Sequence, residues 1–278
     1  MPAIDVLVVV QRKDASRYHK NLSVHSEFKV RLVSDPSDAL DTLADRDHHV
    51  DVLVLDNNLD GVFDLVRELR HTYPRLLILL VDEEADFAMP GQADDISTEP
   101  FENDDLVRRI NRLMSDRSLE TLRADAMPPV REFAKILRKA AGEMGKQEAA
   151  VSACLDLGYD YVALYKIENP NPLQVTLRAQ QGPKPIQAVA PKEAAADDII
   201  GWVAKTGQSR IAAPEDDLNH PLVRKGRLGA VACVPIGAAN RYGVLVACRD
   251  EPGTITQQNV LMLELISAQL AAVITKET

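Results

Sequence analysis

Cysteines, aromatic residues and long apolar runs are scarce in this 278-residue chain. Three cysteines, Cys154, Cys233 and Cys248, none in Cys-x-x-Cys spacing, argue against a disulfide framework or structural zinc site and read as small buried hydrophobes. Five of the six histidines are scattered before residue 72, at His19, His25, His48, His49 and His71. None forms a His-x-x-x-His pair on one helical face, so no metal is expected. No apolar run approaches the ~18–20 residues of a membrane span, and the opening MPAIDVLVVVQRK is too short and wrongly flanked for a secretory signal. A cytoplasmic protein without a membrane partner is expected.

Basic residues are short in one part only. The formal net charge is −10, from 32 Lys/Arg and 42 Asp/Glu; residues 1–115 hold 13 against 23, and residues 116–278 hold 19 against 19. This asymmetry marks a boundary, and the missing basic cluster argues against nucleic acid, whose phosphates demand one. With 46% hydrophobic and 27% charged residues, the chain is long enough for two cores.

The first part alternates DVLVVV (5–10), FKVRLV (28–33), VDVLVLD (50–56), LLILLV (76–81) and a weak DDIST (94–98) with amphipathic stretches at 36–46 and 62–73. Continuous Val/Leu/Ile runs separated by helical patterns predict a doubly wound five-stranded parallel α/β domain. FENDDLVRRINRLM (101–114) predicts a closing helix, acidic at its start and with Leu106, Ile110 and Leu113 on one face. The expected division is 1–115 for this domain, 116–129 for a helical connector broken at Pro128-Pro129, and 130–278 for a second domain.

In that second domain a helix at 130–144 precedes strands at 159–168 and 173–180, a helix at 196–207 and a strand at 209–213. A polar loop at 214–227, strands at 228–236 and 242–250 and a final helix at 256–274 follow. Strands in runs with helices at the ends predict an α+β fold on an antiparallel sheet. The final helix is apolar around most of its circumference, which implies a partner helix, from residues 130–144 of the same chain or from a second copy.

Asp56 closing VLVLD, the Ala93-Asp94-Asp95 turn and Pro100-Phe101 opening the last helix make the first domain resemble the receiver domain of two-component response regulators. IIGWVAKTGQSRIAA, VACVPI and YGVLVACRD make the second similar to a GAF domain. The receiver resemblance implies a phosphoacceptor at Asp56, served by Mg²⁺ on an acidic pair, a Ser/Thr after the fourth strand and a Lys before the proline. The metal needs oxygen ligands, and metal and lysine both neutralise the transferring group. In this chain Gln11-Arg12 replaces the acidic pair, Val81 or Asp82 the hydroxyl residue, and Glu99 stands before Pro100 where the Lys would be.

Like charges ~4 Å apart cost about 4 kcal/mol at an effective dielectric of ~20, so Glu99 would repel an arriving phosphate. The expectation is a degenerate pseudo-receiver in which Arg12 or Lys13 pairs with Asp56 or Glu99. The alternative is that Arg12 and Glu99 are independent solvated residues. The stretch Asp82–Gln92, with Met89-Pro90-Gly91, leaves only a curtailed fourth helix, and Ile96 takes the place of the family's aromatic switch residue.

The GAF resemblance implies a ligand pocket under the loop 214–227, with Trp202, Asp216, Asp217, Asn219, His220 and Arg227 as candidates. No known ligand signature is satisfied. No cofactor is expected, and an unknown small molecule stays open. The resemblance also implies a homodimer through the terminal helices. The expected function is non-enzymatic signal transduction through protein partners. A phosphorylatable regulator using Asp56, a GAF small-molecule sensor and a cysteine redox enzyme are the alternatives.

Overall fold

Five short apolar runs become one parallel sheet: β1 (Ile4–Val9), β2 (Phe28–Val33), β3 (Val52–Asp56), β4 (Leu77–Val81) and β5 (Asp95–Ser97), in the order β2-β1-β3-β4-β5. Every residue of β3 and β4 is buried, as strands covered on both faces require. The crossovers are α1 (Ala15–Leu22), α2 (Pro36–Ala44) and α3 (Val62–Thr72), and α4 (Asp105–Asp125) closes the unit. Asp35 caps α2 by accepting from the Ser37 amide at 2.8 Å, with Pro36 at the first helical position. One face of the sheet packs Val6, Val8, Val52, Val54 and Leu79 against Tyr18 and Leu22 of α1 and Leu106, Ile110 and Leu113 of α4.

The computed structural model describes residues 3–45, 48–84, 93–125, 128–212, 220–237 and 241–274. The chain divides into two compact units, Met1–His71 with Leu76–Glu120, and Thr72–Arg75 with Thr121–Thr278. Most of the stretch expected to form the curtailed fourth helix lies outside the described residues.

The closing helix begins four residues later than predicted and runs past Met114. Asn103 and Asp104 hold left-handed backbone (φ 49° and 54°), which delays the start. Beyond Met114, SDRSLETLRAD contains no Gly or Pro to stop a helix. The second helical piece, α5 (Pro128–Lys139), begins on the Pro pair, since proline is tolerated in a first turn whose amides have no helical acceptor.

The helix predicted over 130–144 is two helices. After α5, Ala141 is extended and Gly142 takes φ +67°, and α6 (Gly142–Asp156) follows. The rest of the unit is β6 (Tyr161–Pro170), β7 (Leu173–Gln181), α7 (Lys184–Val189), β8 (Glu193–Ala194), α8 (Ile199–Thr206), β9 (Arg210–Ala212), α9 (Pro221–Arg224), β10 (Ala230–Ile236), β11 (Gly243–Arg249) and α10 (Gln257–Ile274). The six strands are antiparallel, in the order β8-β7-β6-β11-β10-β9. The short elements α7, β8 and α9 were not anticipated by periodicity, being too short to show a period.

Alternation along the strands gives this sheet two faces. Val162, Leu164, Ala230, Ala232, Val234, Leu245 and Ala247 face a helical layer of α5, α6 and α10. The partner helix that α10 requires is in the same chain: Leu261 and Leu265 pack on Val130 of α5, while Val260, Leu263, Ile266 and Leu270 join the sheet core. By length and composition α10 is the one helix among the described residues apolar enough to cross a membrane, at a mean hydropathy of 1.2. Its burial in this layer accounts for that composition.

Candidate functional site

Asp56 ends β3 as a 6% exposed side chain. One carboxylate oxygen, Oδ2, accepts from the Tyr18 hydroxyl at 2.8 Å. The other, Oδ1, accepts from the Asn58 amide and from Asn58 Nδ2, both at 2.9 Å. Burial, and then the Asp56 charge, push the Tyr18 pKa far up, so the phenol keeps its proton and acts as the donor. Gln11 Nε2 donates to the Asn58 carbonyl at 2.6 Å, and Asn57 Nδ2 donates to Asp82 at 2.9 Å. The loop that carries these donors is therefore fixed at both ends.

The expected ion pair does not form. Arg12 is exposed and has no hydrogen bond or ion pair among the described residues, and Lys13 reaches only Asp14, at 4.0 Å. The Glu99 side chain is likewise exposed and unpaired among the described residues, while Pro100 is buried. Neutral donors, a phenol and an asparagine, surround Asp56 where the sequence suggested a guanidinium or an ammonium. A neutral donor satisfies a buried carboxylate without a second charge to desolvate, which explains the outcome physically. Tyr18 was missed by sequence reasoning. The available signal was its place on the inner face of α1, four residues before the buried Leu22.

In the second unit, the sheet face opposite the helical layer carries Tyr161, Ala163, Tyr165, Val231, Cys233, Val244, Val246 and Cys248, all fully buried. The Tyr161 hydroxyl donates to Gln180 at 2.8 Å and the Tyr165 hydroxyl to the Pro191 carbonyl at 2.9 Å. α8 packs on β7, β10 and β11. Its Trp202 is 3% exposed, with the Arg210 guanidinium 5.3 Å from the ring.

Asp198 caps α8, accepting from the Gly201 amide at 2.8 Å and the Ala195 amide at 3.0 Å. His220 Nε2 lies 4.0 Å from Asp198 Oδ2, and His220 Nδ1 accepts from the Leu222 amide at 3.3 Å. That acceptor role leaves the proton of a neutral imidazole on Nε2, towards the carboxylate. Burial raises the Asp198 pKa, opposed by the Gly201 amide and by His220.

Residues 147–274 match the family model described as GAF domain. That segment is a GAF domain. No curated protein matches the chain. Among solved structures, the GAF domain of a phosphoenolpyruvate-protein phosphotransferase from Acinetobacter is 19% identical, covering 53% of this chain and 91% of its own, with a TM-score of 0.44. The free methionine-R-sulfoxide reductase of Neisseria meningitidis, in complex with its substrate, is 13% identical over 52% of this chain and 85% of its own, with a TM-score of 0.46. The GAF domain of a Pseudomonas syringae pv. tomato protein described as a sensor histidine kinase is 16% identical over 60% and 93%, with a TM-score of 0.39.

Of the ligand candidates in the GAF domain, Trp202 and His220 are buried core residues. Arg227 is exposed at φ 55° and has no hydrogen bond or ion pair among the described residues. Among the described residues, no hydrogen bond or ion pair joins it to the other two. Asp216, Asp217 and Asn219 lie outside the described residues. All three thiols are buried; burial pushes Cys154 up to about 12 and Cys248 well above its usual range. Among the described residues, no group of three His, Cys, Asp or Glu side chains is placed to hold a metal.

Proposed function

We propose that this chain is a non-enzymatic signal-transduction protein: a receiver-like α/β unit without phosphoryl chemistry, followed by a GAF domain, acting through contacts with protein partners. The observation that carries the reading is the hydrogen bonding of both Asp56 oxygens. Both of its oxygens accept hydrogen bonds from neutral donors, and Glu99 stands in place of the lysine that would neutralise a phosphoryl group. The buried thiols support the non-enzymatic part, because a thiol held far above neutrality supplies almost no thiolate.

Incubation of the full chain with acetyl phosphate and Mg²⁺, read by intact mass, is expected to leave the mass unchanged. Gain of one phosphoryl group that is lost in Asp56→Asn would replace this reading with that of a working response regulator.

A further inference from the structure

Two neighbouring residues of α1 reach one strand and two turns. The Tyr18 hydroxyl is bonded to Asp56 on β3, and the Tyr18 ring meets the Phe101 ring edge-on at 5.0 Å and 78°. Beside it, the Arg17 guanidinium lies 4.2 Å from the centre of the same Phe101 ring and donates to Glu83, just after β4, at 3.1 Å. Phe101 is thus held by an aromatic edge and by a cation.

The segment that Phe101 opens is strained. Asn103 and Asp104 are consecutive non-glycine residues in the left-handed region, which Asn and Asp tolerate better than other side chains but still at a cost in backbone energy. Within the turn, three backbone bonds oppose its relaxation: Glu102 N–H to Glu99 C=O at 3.1 Å, Asp105 N–H to Glu102 C=O at 2.9 Å, and Leu106 N–H to Pro100 C=O at 3.2 Å.

We infer that Tyr18 is a latch that holds this strained turn closed. The chain of cause is short. A buried carboxylate at Asp56 requires its donor, so Tyr18 stays inward. Tyr18 in place gives Phe101 its stacking surface. Phe101 in place pins residues 101–104 in a conformation they would otherwise leave. The inference rests on the proposed reading of Asp56 as a carboxylate that is never phosphorylated, and it deepens that reading. A protein partner that draws α1 or Phe101 away releases the turn at the start of α4, so that binding at one edge of the unit is transmitted into its closing helix.

Hydrogen exchange of the full chain, read by mass spectrometry, tests the latch. Tyr18→Phe keeps the ring and deletes the hydroxyl. It is expected to accelerate exchange over residues 101–106 about tenfold, the scale of one lost buried hydrogen bond, with native far-UV circular dichroism. Adding Asn103→Gly and Asp104→Gly to that variant is expected to return most of the protection, because glycine relaxes the turn without opening it. Unchanged exchange over 101–106 in a natively folded Tyr18→Phe protein would overturn the latch. Should that variant fail to fold, Phe101→Leu, which spares the hydroxyl bond but deletes the stack, must accelerate the same residues, and wild-type rates there would equally overturn it. Phosphorylation of the unaltered protein by acetyl phosphate would remove the underlying reading while leaving these exchange rates as they are, so the two failures are distinguishable.

Discussion

Asp56 and Asp198 are both partly or wholly buried carboxylates at the end of a regular element, and they are satisfied in opposite ways. Asp198 takes its hydrogen-bond donors from its own neighbourhood, the amides of Ala195 and Gly201, which fix the start of α8, while His220 Nε2 stands further off at 4.0 Å. Asp56 takes two donors from Asn58 nearby, its amide and Nδ2, and a third from Tyr18, 38 positions away, and so ties α1 to β3. A local cap stabilises one helix, whereas a tie across the chain makes two elements move together. The α/β unit therefore has a tie between α1 and β3 at Asp56, and the GAF domain has a closely packed, buried sheet.

The largest effect that would sharpen this contrast lies in that sheet. A Cβ at Gly243 would stand 2.0 Å from the Tyr165 carbonyl, a backbone atom that cannot give way without breaking the pairing of β6 with β11. Gly243→Val is expected to destabilise the GAF domain by about 4 kcal/mol or more. Trp202 is the chain's single tryptophan and lies in the GAF domain, so its fluorescence during urea unfolding reports that domain. An unchanged midpoint would mean that the two strands can separate locally, and the closely packed half of the comparison would fail.

The same contrast explains which features the sequence displays. The run FKVRLV coincides with β2, and Asp198 stands before an apolar helical run, the ordinary signature of an N-cap. Both are local signals. The acceptor position of Asp56 is also visible as the last residue of an apolar run, but its donors are not, because Tyr18 is joined to it only by the packing of α1 on the sheet. The receiver resemblance then favours Arg12, which stands where it puts the acidic pair, although a neutral hydroxyl is cheaper to bury. The break between α5 and α6 was hidden for a related reason. Gly142 lies within a stretch whose composition is otherwise helical, and only the left-handed turn there separates the two helices.

A smaller effect separates the two units by pH. Burial alone would raise the pKa of Asp105 at the start of α4. Hydrogen bonds from Arg109 and Ser97 outweigh it and hold the group below the ordinary aspartate value of 3.8. A folded-state pKa below the unfolded one gives stabilisation that is complete above 3.8 and is lost as pH falls through the lower folded value. Asp198 has the opposite sign. Its pKa is raised, so its ionised form costs the GAF domain stability at neutral pH, and the cost fades as acid protonates it. Asp105→Asn is therefore expected to flatten the acid limb of the stability curve of the α/β unit and to leave the tryptophan-reported transition of the GAF domain where it was. An unaltered acid limb would show that the Arg109 and Ser97 bonds carry no net stability.

The smallest expected effect falls at the position where the sequence shows the sharpest departure from a receiver. Glu99→Lys adds the charge that the proposed receiver-like reading assigns to phosphoryl chemistry, and an internal ion pair at Glu99 would make the change costly. The Glu99 side chain is exposed and has no partner among the described residues, so the substitution breaks no contact and adds a cation in water. A stability change within about 0.5 kcal/mol is expected, measured by urea unfolding followed by circular dichroism. Acetyl phosphate should still leave the mass of this variant unchanged, because Tyr18 and Asn58 continue to hold both oxygens of Asp56. A phosphorylated Glu99→Lys protein would place the block at Glu99 and not at the hydrogen-bonded Asp56 carboxylate, and would reverse the weight given to the two.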